Sequence, residues 1–232
     1  MTVTLNASLS PAACQIGEGG VHVLPQTPRL RALHTIIRDR ECTRVRFVRS
    51  AETIMRTLIE SALALLPYEE REITTAAGYP YAGLRLARPV CGVSVVRAGD
   101  SMETALRAAL PSSRLGKILI QRDKVTKLPR LYFSALPPGI ADAHVLLMDP
   151  MLATGGTALA ALDVLRDAGV AERHVVFVNL LSAPAGIAAV RRRYPDLVML
   201  TSSVEQGLNA NAYMVPGIGD FGDRYFGTEA AG

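Results

Sequence analysis

The sequence predicts an α/β protein built on a doubly wound, mostly parallel sheet, and three observations carry that reading. From Pro89 onward, short apolar runs alternate with helix-forming segments. Val145-Leu146-Leu147-Met148 is apolar throughout, the pattern of a strand covered on both faces. Candidate ligand-binding segments follow the ends of these runs, where open parallel sheets hold their ligands; only a C-terminal loop stands apart.

Residues 1–24 lean to Ala, Gly and Ser without periodicity and read as a poorly ordered tail, so the domains are drawn as tail 1–30 and body 31–232. A short helix is expected over 31–38, with Leu33, Ile36 and Ile37 on one side. Ser50 is taken as the N-cap of a helix over 51–66, where Ile54, Leu58, Ala62 and Leu65 form a core stripe and Pro67 ends it. Ile73-Thr74-Thr75 and Leu84-Arg85-Leu86, around Gly78-Tyr79-Pro80-Tyr81, read as a β-hairpin outside the repeating pattern. The alternation then runs strand 90–96, helix 101–110, strand 117–121, strand 145–148, helix 157–168, strand 175–181, helix 185–193 and strand 198–201.

At 232 residues the chain is most simply one domain with an N-terminal extension, and 49% hydrophobic with 20% charged residues argues against disorder and coiled coils. A net charge of +4 suits an anionic substrate, and no dense basic block marks a nucleic-acid partner. Arg191-Arg192-Arg193 closes a helix, where cations complement the dipole. Cys14, Cys42 and Cys91 form no C-x-x-C pair, which fits a reducing compartment. His22, His34, His144 and His174 show no ligand spacing, so no protein-held metal is read. Residues 1–10 lack the features of a secretory signal, and Asn179, Pro184 and Gly186 break the most apolar run, so no membrane span is read. Cytoplasm is the expected location.

The apolar run 145–148 continues into Asp149-Pro150-Met151-Leu152-Ala153-Thr154-Gly155-Gly156-Thr157 and then a strong helix former. A strand, a Gly-rich turn and a helix together aim backbone N–H groups at one point, which suits a phosphate. No Gly-Lys-Ser/Thr closes the loop and no G-x-G-x-x-G occurs, which excludes the two common nucleotide loops. The segment resembles the phosphoribosyl-pyrophosphate (PRPP) motif of type I phosphoribosyltransferases. The resemblance implies that Asp149, with Pro150, Met151 and Leu152 beside it, grips the ribose hydroxyls. It implies that Ala153, Thr154, Gly155, Gly156 and Thr157 wrap the 5′-phosphate.

Three further segments narrow the resemblance. Val95-Val96-Arg97-Ala98-Gly99-Asp100-Ser101-Met102 ends a strand on an arginine, offering a pyrophosphate a bidentate cation and backbone donors. It is similar to the pyrophosphate loop of uracil phosphoribosyltransferases, with Asp100-Ser101 in place of a common Leu-Gly pair, as in their more eukaryote-like members. Ile120-Gln121-Arg122-Asp123-Lys124-Val125-Thr126-Lys127 leaves a strand as a charged flap that returns at Leu131-Tyr132-Phe133. It resembles the family's hood, in which Arg122 takes the place of the PRPP-contacting arginine. The tail from Asn211 to Thr228, rich in Gly and aromatics, is a shaped loop whose main chain can face a small planar ring. It is similar to the family's uracil loop. That match implies base contacts at Met214, Gly219, Asp220 and Phe221 and a ribose or N1 contact at Asp220; Phe221 departs from the family's usual alanine, and its ring is expected to narrow the pocket.

The resemblance spans about residues 90–228, and Pro150, where many relatives outside the uracil branch carry a second acid, supports the uracil branch. It implies the reaction of uracil with PRPP to give UMP and pyrophosphate in pyrimidine salvage. Mg²⁺ rides on PRPP. Arg97 and Arg122 steady the leaving group, and Asp220 helps uracil N1 lose its proton. A homodimer or higher homo-oligomer, with the hairpin and N-terminal helices at its interface, and GTP activation as in some relatives complete the expectation. Two alternatives stay open: transfer to another base, because of Phe221, and a silent UMP- or RNA-binding regulator on the same fold.

Overall fold

The computed structural model describes residues 15–17, 20–122 and 129–228. Two short strands come first, β1 (Gln15–Gly17) and β2 (Val21–Val23), followed by α1 (Pro28–Arg38) and α2 (Arg44–Ala64). Next come the hairpin strands β3 (Tyr68–Thr74) and β4 (Pro80–Leu86), then β5 (Val90–Val96), a 3-10 turn (Ala98–Met102) and α3 (Glu103–Ala109). The middle of the chain supplies β6 (Arg114–Arg122), β7 (Pro129–Ala135), β8 (His144–Met148), β9 (Met151–Leu152) and α4 (Gly156–Asp167). The last elements are β10 (Val175–Ser182), α5 (Pro184–Arg193), β11 (Val198–Val204), β12 (Gly207–Leu208), β13 (Met214–Val215) and α6 (Phe221–Phe226).

The main sheet runs β1-β2-β11-β10-β8-β5-β6-β7, with β9 paired to β10. From β2 to β6 every neighbouring pair on this path is parallel, and the two outermost pairs are antiparallel. Every residue of β8 and β10 is buried, as strands covered on both faces require. One apolar cluster packs α1, α2 and α3 on one face, and a second packs α4 and α5 on the other. This is the predicted doubly wound sheet. Its order reverses between β5 and β8: from β5 the chain goes outward to β6, then returns to place β8 on the other flank. A crevice at that reversal is where such sheets take ligands.

Two expectations shift at the N-terminal side. Val21–Val23 pairs in parallel with β11, and Leu24 is buried, so the body of the domain reaches back before residue 31. Three residues are too few to show a strand period in the sequence. Residues 1–14 of the expected tail lie outside the described residues. Ser50 does not cap α2, because the helix starts at Arg44 and carries Ser50 on its buried face. Arg44, Arg46 and Arg49 mask the early turns, yet Phe47, Ser50, Ala51 and Ile54 already follow the helical stripe.

Thr27 caps α1, accepting the Leu30 N–H at 3.2 Å, with Pro28 in the first turn. The hairpin β3–β4 forms its own two-stranded sheet, longer than predicted and exposed on both faces. No helix among the described residues is long and apolar enough to cross a membrane.

Candidate active site

Beyond β8 the chain is stitched to β10 by its backbone. The Asp149 N–H donates to the Val178 carbonyl at 3.2 Å, and the Pro150 carbonyl accepts both Leu180 and Leu181 N–H groups at 2.9 Å. Asn179 Nδ2 donates to the Asp149 carbonyl at 2.7 Å, so the polar residue that interrupts β10 is a support for the turn. Asp149 is 8% exposed, and burial pushes its carboxyl up to about 7, against the pull of the Met151 N–H that it accepts. Gly155 then turns with φ +86°, a region that favours glycine, and α4 begins at Gly156 with no side-chain cap. Gly186 on α5 lets the loop settle, since a Cβ there would stand 2.6 Å from the Ala153 carbonyl oxygen. Thr154 is exposed and Gly156 and Thr157 are half-buried at this helix start, an arrangement suited to an anion.

The turn after β5 abuts the same place. Its Val96–Arg97 peptide is cis. Gly99 passes so close to the end of β8 that a Cβ would collide with the Met148 carbonyl oxygen and press on Ser94. Asp100 faces a small polar cluster: its carboxylate accepts Ser94 Oγ at 3.0 Å and Lys117 Nζ at 2.8 Å, and Glu103 pairs with Lys117 at 3.0 Å. Burial opposes the Lys117 charge, but hydrogen bonds and proximity to Asp100 and Glu103 outweigh it and raise the ammonium above its ordinary value. Arg97 reaches the C-terminal helix. Its Nη2 donates to Asp223 at 2.8 Å, its Nη1 donates to Thr228 Oγ1 at 2.9 Å, and the guanidinium lies 5.4 Å from the Phe226 ring centre. Hydrogen bonds from Thr228 and Arg97 hold the Asp223 carboxyl below its usual range.

The C-terminal segment is a shaped loop closed by the short β12–β13 pair, a cis Val215–Pro216 peptide and α6. Asp220 caps α6, its Oδ1 accepting the Asp223 N–H at 2.9 Å. Phe221 departs from expectation: it is 2% exposed, and its ring packs 5.8 Å from Phe47 and 5.4 Å from Tyr225, centre to centre. The ring therefore anchors the loop in the core rather than narrowing the pocket.

These segments enclose a cavity of about 740 Å³. Arg97 and Ala98 come from the turn after β5, Met151 and Ala153 from the loop after β8, and 211–214 and 217–222 from the C-terminal segment. Met214, Gly219, Asp220 and Phe221 are thus brought together with Arg97. Gly99, Asp149, Pro150, Leu152 and Thr154 to Thr157 stand outside the cavity lining. The Arg122 side chain, Lys124 and Lys127 lie outside the described residues. At the start of β7, Pro129 adjoins the 153–157 loop, 3.8 Å from a Cβ built on Gly156.

Reading along the sequence missed several supports. Lys117 and Ser94 are parallel-strand partners on β6 and β5. Asn179 could have been found as the lone amide in an apolar strand. Arg38, half-buried on α1, and Glu205, buried just past β11, form an ion pair under the loop, and nothing local marks either residue.

Comparison with known proteins follows the same lines. The family model described as uracil phosphoribosyltransferase matches residues 23–228. A Dictyostelium discoideum uracil phosphoribosyltransferase is 48% identical over 209 residues, covering 90% of this chain and 97% of that protein. Among solved structures, the Aquifex aeolicus AQ2163 protein superposes with a TM-score of 0.80 at 26% identity, over 90% of this chain and 99% of the other. A Trypanosoma brucei adenine phosphoribosyl transferase, solved with AMP, pyrophosphate and ribose-5-phosphate, shares the fold with a TM-score of 0.53 at 14% identity, over 84% and 87% of the two chains.

Proposed function

The chain belongs to the uracil phosphoribosyltransferase family, and from that premise we propose that it joins uracil to the ribose of PRPP, giving UMP and releasing pyrophosphate. The observation that carries this reading is the cavity of about 740 Å³, in which the Arg97 turn, the loop beyond Asp149 and the C-terminal segment converge.

Mg²⁺ enters with PRPP, held through substrate oxygens and water. The uncapped start of α4 takes the 5′-phosphate through backbone N–H groups of the 153–157 loop. Asp149 accepts the ribose hydroxyls. Those donors favour its charged form and offset the burial that raises its pKa in the free protein. As the bond from the anomeric carbon to pyrophosphate breaks, the new bond to uracil N1 forms. Arg97 and Arg122 stabilise the departing negative charge, and most of the rate comes from holding the two substrates in line. Asp220, on the cavity wall, takes the N1 proton. Main-chain groups from Met214 to Phe221 face the pyrimidine edge.

The proposed setting is pyrimidine salvage in the cytoplasm, in a homodimer or higher homo-oligomer, with GTP as an activator. Exposed Tyr68, Ile73, Tyr79, Tyr81 and Leu84 on the protruding hairpin support an interface there.

A base-panel assay with Mg²⁺ and PRPP, with and without GTP, tests the reading: uracil should yield UMP, and orotate, xanthine and hypoxanthine should not react. Transfer to another base, or no UMP together with salt-sensitive RNA retention, would overturn it. Asp220→Asn keeps the cap of α6, so it should lower kcat by about 100-fold or more while uracil KM moves only a few-fold. A large KM change at normal kcat would make Asp220 a binding group instead.

A further inference from the structure

Two charged residues outside the family-like motifs hold the wall on which the base is read. Glu205 follows β11 and is 4% exposed, yet it is charged and fully engaged. Arg38, at the end of α1, donates to it through both terminal nitrogens, at 2.5 and 2.9 Å. The same pair also holds one residue of the loop at both its N–H and its carbonyl. The Gly217 N–H donates to Glu205 Oε2 at 2.7 Å, and the Gly217 carbonyl accepts from Arg38 Nη1 at 3.2 Å. Burial raises the Glu205 pKa, but the hydrogen bonds from Arg38 and Gly217 prevail and hold the carboxyl below its usual range. Its other charged or titratable neighbour is His34 on α1, which burial pushes down to about 4 and which shares a hydrogen bond with Ser202.

The next residue is gripped from the opposite side. Arg224 donates to the Ile218 carbonyl at 2.8 Å, to the Ile37 carbonyl at 2.6 Å and to the Asp39 carbonyl at 2.9 Å. Its guanidinium stacks 4.2 Å from the centre of the Phe47 ring. The end of α1 is therefore tied by two arginines to residues 217 and 218, which line the cavity directly before Gly219 and Asp220. An ion pair with one partner buried and the other half-buried adds little net stability over well-packed apolar side chains, so geometric control is the better account of this one.

We propose that Arg38 and Glu205 are positioning residues for the base subsite. Acting through the Gly217 N–H and carbonyl, they keep the donors and acceptors of the loop in register with a pyrimidine edge, and they set affinity for the base rather than for PRPP. The inference rests on reading this cavity as the uracil site.

The test compares wild type, R38K, and the double variant R38M/E205M, which replaces the pair with apolar chains of similar bulk. Uracil KM, PRPP KM and kcat are measured beside thermal melting. The folded double variant should show uracil KM raised about 10- to 100-fold with PRPP KM unchanged within about twofold. R38K, which keeps the charge but loses the planar fork, should fall between it and wild type. If the double variant fails to fold, R38K alone decides: a several-fold rise confined to uracil KM supports the proposal. Unchanged uracil KM, or equal rises for both substrates, in any folded variant overturns it. Wild type that makes no UMP overturns the site assignment beneath it, which separates that failure from failure of the clamp alone.

Discussion

The two sides of the cavity are built by different means. At the β8–α4 turn and the Arg97 turn, shape comes from backbones packed against backbones: Gly99 on the Met148 carbonyl and Gly186 on the Ala153 carbonyl. Around residues 205–228, shape comes from side chains that reach across the chain. Arg38 meets Glu205 at a separation of 167 residues, and Arg224 meets the Ile37 carbonyl at 187. Close glycines shape both sides, since a Cβ on Gly217 would also collide with the Met214 carbonyl oxygen, but the 205–228 side is held in addition by charged side chains from distant parts of the chain. Steric contacts of the first kind tolerate no added atom, whereas hydrogen-bonded anchors of the second kind fail by truncation.

That contrast can be broken experimentally. Phe221→Ala should carry the largest effect, since it empties a fully buried site between Phe47 and Tyr225 at a cost of about 3–5 kcal/mol. Denaturant unfolding measures it, and a loss under about 1 kcal/mol would show that the base loop does not depend on its core anchor. Next comes Gly99→Ala, which forces the turn off β8. A displacement near 1 Å costs about 100-fold in kcat/KM for PRPP. Steady-state kinetics that match wild type would remove the backbone-contact account of that side.

A smaller effect is expected at Asp149, where the sign follows from its raised pKa. The folded protein keeps this carboxyl protonated up to about 7, whereas the unfolded chain releases the proton near its ordinary value. The stability this confers is complete below the unfolded value and is lost as pH rises toward about 7. Asp149→Asn should therefore melt at a higher temperature than wild type at pH 8 and lose that advantage by pH 4. A pH-independent difference would contradict the burial argument. The smallest effect sharpens the comparison from inside the 153–157 loop. Among the described residues, the atoms nearest a Cβ built on Gly156 are those of Pro129 and Thr154, none closer than 3.8 Å, so Gly156→Ala should gain about 0.5–1 kcal/mol, read by thermal melting.

Legibility in the sequence divides along the same line. The β8–Asp149–Gly155–α4 run places strand, acid, turn and helix next to one another, so periodicity and glycines revealed it. The Arg97 turn was legible as an anion loop, but the partners of Asp100 were not. Lys117 joins it through strand pairing, and pairing partners are a property of the fold. Met214 and 219–221 were recognised as a shaped loop. Their fixation by Arg38 and Glu205 was not, because neither residue breaks a local pattern. Phe221 misled for a related reason: a ring in a glycine-rich segment says nothing about which way it turns. Val21–Val23 was lost because a strand of three residues needs its neighbour, β11, to be seen.

The Arg97 guanidinium joins the two sides directly, through Asp223, Thr228 and Phe226. On the proposed reading, a diphosphate arriving at that cation meets a carboxylate already seated there, and must either share the guanidinium with the terminal helix or displace the helix from it. On the same reading, whatever coupling this choice creates between the diphosphate and a pyrimidine beside Asp220 is the same in both directions, since thermodynamic linkage is reciprocal. Cooperativity between the two substrates, of either sign, is then a matter of how one arginine divides its hydrogens.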